Sequence, residues 1–194
     1  MIVLGLTGSI AMGKSTTAKM FVAEGIPVFD ADVEVHRQYG KGGTAAAAIA
    51  AKWPDVMTEG SVDRGKLSTL VMARPNVLEQ VEAIVHPLVR AAQGEFLDRC
   101  EDCAAPLAIL DIPLLFETGR TSEVDKIIVV SAPEAIQRQR ALARPGMTEA
   151  KLARILERQI PDSEKRARAD FVVDTSRELD HTRAQVRAIL AALR

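Results

Sequence analysis

The chain has 194 residues, 47% of them apolar and 26% charged, with a formal net charge of −1. That composition fits one globule with a real core and room for an inserted subdomain, and the near-zero charge points to neither nucleic acid nor a membrane surface as partner. No apolar run is long enough to span a bilayer, and Met1 leads straight into an apolar strand with no signal-peptide pattern, so a cytoplasmic protein is expected.

Ile2-Val3-Leu4-Gly5-Leu6 reads as a buried strand. Directly after it, Gly8-Ser9-Ile10-Ala11-Met12-Gly13-Lys14-Ser15 reads G-x-x-x-x-G-K-S. This is a phosphate-binding loop, placed where such loops occur, between a strand and a helix. Its main-chain N–H groups and the N-terminus of the following helix suit phosphate oxygens. Lys14 is expected to reach the β and γ phosphates, and the Ser15 hydroxyl to ligate magnesium. Ala18, Phe21 and Val22 continue the helix, and Gly25 ends it.

Ile26-Pro27-Val28-Phe29 is a second strand, closed by Asp30-Ala31-Asp32. Further short apolar strands are expected at Leu107–Leu110, Lys126–Val130 and Phe171–Val173, separated by helical patterns. The fold class is therefore α/β, with a parallel sheet of about five strands covered on both faces, and a last helix showing Val186, Ile189, Leu190 and Leu193 on one side.

Two segments stand outside that sheet. From Val33 to Arg99 no strand is evident. The stretch is helical, Ala-rich at 45–51, and broken by glycines and prolines. Such an insertion could hold a phosphoryl acceptor opposite the loop. From Glu134 to Arg168 lie Arg138, Arg140, Arg144, Arg154, Arg158, Arg166 and Arg168. Any one of them reads as a solvated helix residue, such as Arg168 paired with Glu164, but the group reads as a lid over a triphosphate.

Cys100 and Cys103 are the only cysteines. His36, His86 and His181 lack metal-type spacing with them, so free thiols near a helix end are expected. A GTPase is excluded by the missing N-K-x-D reader, since Asn76, the single asparagine, precedes Val77. A partner-remodelling ATPase usually carries Asp-Glu at the end of its magnesium strand, whereas this chain has Leu110-Asp111-Ile112-Pro113. Asp111 could hold magnesium through water or cap the turn before Pro113. A small-molecule kinase remains, with another metabolite kinase or a partner-regulated ATPase as the alternatives.

Over essentially its whole length the chain resembles the dephospho-coenzyme A kinases. The likeness rests on Gly8 to Thr16, Asp30-Ala31-Asp32, Gly60 with Asp63-Arg64, and His86-Pro87-Leu88-Val89-Arg90. It continues through Asp111-Ile112-Pro113-Leu114-Leu115-Phe116-Glu117 and Ala169-Asp170. The resemblance implies a P-loop fold that phosphorylates the ribose 3′-hydroxyl of dephospho-CoA with magnesium-ATP. It implies a nucleotide core at 1–32, 100–133 and 169–194, a helical CoA-binding domain at 33–99 and a lid at 134–168, with both latter parts moving over the core. ATP and dephospho-CoA are then the partners, with no nucleic acid, membrane or obligate protein partner.

For individual residues the resemblance implies an ATP site at Gly8, Ala11, Met12, Gly13, Lys14, Ser15, Thr16 and Arg144, with Arg140 stabilising the transferring group. Asp32 matches the family's base, although either Asp30 or Asp32 could instead cap the next helix. His86, Arg90, Leu115, Phe116 and Glu117 fall on the acceptor side, and Gln159 and Lys165 match family positions without an assigned chemistry. Ala11-Met12 stands where the family usually has Gly-Ser. Neither position is expected to carry an essential side chain. Asp174-Thr175-Ser176-Arg177 also departs from the family's Asp-Asn, in a loop expected near the adenine.

Overall fold

Strands buried on both faces need helices on both faces, and that requirement shapes most of this chain. In the computed structural model, which describes residues 1–193, β1 (Ile2–Thr7) is followed by α1 (Lys14–Ala23) and β2 (Val28–Asp30). Next come α2 (Ala31–Tyr39), α3 (Thr44–Lys52), the short strands β3 (Met57–Thr58) and β4 (Ser61–Val62), α4 (Arg64–Ala73) and α5 (Asn76–Asp102). The chain then returns through β5 (Leu107–Asp111), β6 (Lys126–Ser131), α6 (Glu134–Leu142), α7 (Glu149–Leu156), α8 (Asp162–Ala167), β7 (Phe171–Asp174) and α9 (Leu179–Ala192).

Two compact units result, Met1–Phe29 with Cys100–Arg194, and Asp30–Arg99. The first is built on a five-stranded sheet in the order β2-β5-β1-β6-β7. β1 runs parallel to β5 and β6, and β6 runs parallel to β7. With β5 on one side of β1 and β6 on the other, the carboxyl end of β1 opens where the strand order reverses, the usual ligand position of such sheets. Leu4, Leu6, Ile109, Ile128 and Val173 of the sheet pack with Phe21 of α1 and with Val186, Ile189 and Leu190 of α9. The arginine-rich segment, α6 to α8, lies within this unit.

The second unit is mostly helical, and it contains a hairpin that composition does not reveal. Met57 pairs with Val62 and Thr58 with Ser61, around a turn in which Glu59 and Gly60 both have positive φ, 50° and 83°. Two positive φ values in a two-residue loop are the signature of a primed turn, whose twist matches the strands it joins. Strands of two residues leave no readable alternation. No helix among the described residues is long and apolar enough to cross a membrane.

Candidate active site

The loop begins as β1 ends. Gly13 caps α1 with a left-handed backbone, φ 92°, that a side chain would strain. Its carbonyl accepts the Thr17 hydroxyl at 3.2 Å. No acidic side chain occupies the first turn of α1, so the positive end of the helix dipole is left for an anion. Ser15 and Thr16 are exposed in that turn. Leu6 is in register with Asp111, which brings the fully buried Asp111 carboxylate beside the loop, where it ion-pairs with the Lys14 ammonium.

The two loop positions expected to be passive carry well-anchored side chains. Ala11 has φ 61° and is buried with Ala141 of α6 and Leu152 of α7. Met12 is 2% exposed, and its Sδ accepts the Ala132 N–H just beyond β6. Loops of this kind bind phosphate through backbone amides, so only packing could show that these side chains hold the loop in place.

Beside the loop, Ala11, Gly13, Thr16, Arg140, Arg144, Thr175 and Arg177 line a cleft of about 260 Å³. Arg140 donates to the Thr175 carbonyl at 2.6 Å and to its hydroxyl at 3.0 Å. That hydroxyl donates to the Met12 carbonyl at 2.7 Å. Thr175 therefore ties α6 to the phosphate loop, although the sequence flagged it only as a departure from the family pattern.

The segment after β5, expected on the acceptor side, lies in the first unit. Leu115 is fully buried, with its side chain over Gly5. The Phe116 ring lies 4.5 Å from the Arg168 guanidinium. Glu117 accepts the Ile160 N–H at 3.0 Å and ion-pairs with Lys165 at 2.7 Å. Lys165 is fully buried, so its ammonium depends on Glu117 for compensation. Lys165→Met is expected to lower unfolding stability by about 3–5 kcal/mol, because it strands a partly buried carboxylate. Adding Glu117→Gln should recover part of that loss in urea denaturation.

In the second unit, Asp30 is the N-cap of α2, accepting the Val33 N–H at 3.0 Å. Asp32 is exposed in the first turn, and no hydrogen bond or ion pair engages its carboxylate among the described residues. Asp63 caps α4 through the Gly65 and Lys66 N–H groups, and the Lys66 bond above all holds its carboxyl below the usual range. Arg64 approaches His36 Nδ1 at 3.4 Å. Buried Glu34 is held below its ordinary pKa chiefly by its hydrogen bonds from Arg37. His86 and Arg90 are both exposed, one turn apart on α5. Cys100 is buried and Cys103 exposed.

The sequence model of the dephospho-CoA kinase family matches residues 2–181. A curated dephospho-CoA kinase from Mesorhizobium japonicum is 55% identical over 194 residues, covering 100% of this chain and 98% of the relative. A crystal structure from Thermus thermophilus superposes with a TM-score of 0.85 at 35% identity, covering 100% of this chain and 98% of that one. A dephospho-CoA kinase structure from Campylobacter jejuni, 21% identical with a TM-score of 0.69 over 98% of this chain and 96% of its own, shares the fold. The chain belongs to the dephospho-CoA kinase family.

Proposed function

We propose that this chain transfers the γ-phosphoryl group of ATP to the ribose 3′-hydroxyl of dephospho-CoA, releasing CoA and ADP. The observation that carries the reading is Lys14 at the head of α1, paired with Asp111 from the neighbouring strand end, in a chain matched by the family over residues 2–181. Lys14 carries positive charge toward the bridging and transferring phosphates. The amides of Gly8 to Thr16 cradle them. Arg140 and Arg144, on the same cleft as the loop, neutralise charge that spreads over the transferring group.

An exposed Ser15 hydroxyl and a buried Asp111 carboxylate beside Lys14 fit magnesium, an ion that needs only one or two protein oxygens besides phosphate and water. When bound there it would neutralise phosphate charge. Asp32 takes the proton of the 3′-hydroxyl as its oxygen bonds to phosphorus, while the bond to the β-phosphate bridging oxygen breaks and ADP departs. His86 and Arg90 hold acceptor phosphates, Arg90 with its planar fork of donors. Leu115, Phe116 and Glu117 line the acceptor pocket, with the Glu117 carboxylate held by its Lys165 pair. Residues 33–99 act as the CoA-binding domain and 134–168 as the lid, whose closure keeps water from the γ-phosphoryl group.

The test mixes protein, magnesium-ATP and dephospho-CoA and follows CoA and ADP together, beside an acceptor-free control. Equal amounts of CoA and ADP, with little ADP in the control, are expected. ADP released equally without acceptor, and no CoA, would overturn the reading.

A further inference from the structure

The Ile10 backbone lies in the phosphate loop, and side chains of the arginine-rich segment take both of its polar groups. Gln137 Nε2, on α6, donates to the Ile10 carbonyl at 2.9 Å. The Ile10 N–H donates to Gln159 Oε1, just beyond α7, at 3.1 Å. One glutamine gives and the other receives, so between them they hold the two peptide groups that flank the Ile10 Cα. Gln137 is 5% exposed and Gln159 is partly buried. Ile10 and Ala11 also pack with Ala141, Leu142, Leu152 and Leu156 of α6 and α7.

The residue after Ile10 is the strained one. Ala11 has φ 61°, a left-handed conformation that costs an L-residue energy and persists only where its surroundings over-determine it. The two glutamines and the apolar cluster are that surrounding. With the Ile10 N–H committed to Gln159, phosphate falls to the later amides of the loop, whose direction depends on how the Ile10–Ala11 stretch is held.

We propose that Gln137 and Gln159 are positioning residues, clamping the Ile10 backbone so that the lid helices set the geometry of the phosphate loop during transfer. The proposal rests on the reading that this loop holds ATP. Neither glutamine needs to touch a reacting atom. The leverage is large because a displacement near 1 Å costs about a hundredfold in rate.

The experiment compares wild type with Gln137→Met, Gln159→Met and the double variant, which keep side-chain bulk and remove the hydrogen bonds. The kcat and both KM values for CoA formation are measured beside the unfolding midpoint. Each single variant is expected to lose about tenfold or more in kcat, with KM for dephospho-CoA within twofold of wild type. The double variant should be scarcely worse than the poorer single, because both free the backbone of the same residue. A purely structural role would lower the unfolding midpoint and leave the kcat of the folded fraction unchanged. Lys151→Ala, which removes an exposed lid contact to the Gly146 carbonyl, serves as the control at wild-type kcat. Because Gln159 is only partly buried, its variant tests the clamp even if Gln137→Met fails to fold. Wild-type kcat in Gln159→Met, or independent multiplying losses in the double variant, overturns the clamp while leaving the kinase reading intact. A wild-type protein that forms no CoA removes the kinase reading itself.

Discussion

Lys14→Ala is expected to lower kcat for CoA formation by about a hundred- to a thousandfold, the usual cost of removing one preorganised charge from a developing anion. Phosphoryl transfer asks a protein for positioning and charge neutralisation rather than covalent chemistry, so an ammonium at the bridging oxygen, the role proposed for Lys14, carries a large share. The same substitution takes Lys14 away from Asp111, a side chain with 1% exposure on the end of β5. Weaker ATP binding and a lower unfolding midpoint should therefore accompany the kinetic loss. Lys14→Arg separates these effects, since it keeps the charge beside Asp111 while changing its shape and reach. Steady-state CoA formation with calorimetric ATP titration provides the check, and a Lys14→Ala enzyme within tenfold of wild-type kcat would contradict the assignment.

What could be read from the sequence was local. The phosphate loop is eight consecutive residues with a fixed chemical purpose, and the parallel strands are short apolar runs bounded by polar or turn residues, so both announce themselves without tertiary information. The hairpin at Met57–Val62 does not, because two-residue strands carry no period. Gln137 gave no signal, and Gln159 only a family match without a chemistry, for another reason: they meet Ile10 across 127 and 149 residues, and a glutamine looks the same in sequence whether it faces solvent or a strained loop. Ala11 and Met12 looked dispensable because the loop's chemistry lies in its backbone. Packing of their side chains against α6, α7 and the end of β6 shows how that backbone is held. Glu117 was read from its motif as an acceptor residue, and its pairing with Lys165 became visible only once α8 lay beside the segment after β5.

The Asp-Ala-Asp at the end of β2 shows how a structure separates two readings that sequence leaves level. Either acid could have capped the following helix. Asp30 does so, through the Val33 N–H, and Asp32 is left exposed one residue into α2. Asp30→Ala should therefore cost about 1 kcal/mol of stability, the ordinary price of a lost N-cap. Asp32→Asn should cost less than about 1 kcal/mol, since only a favourable charge near the helix N-terminus disappears. In kinetics Asp32→Asn is expected to be far the more damaging. Replacing the proposed base would leave the 3′-hydroxyl without a proton acceptor, a loss of about two to four orders of magnitude in kcat. ATP affinity should be unchanged, because the proposed contacts of Asp32 are to the acceptor alone. The contrast can be read from kcat, calorimetric ATP binding and urea denaturation on the two variants side by side. If Asp32→Asn turned over at near wild-type rate, the proton would need another acceptor, and Asp32 would be a solvent-facing residue of the first turn.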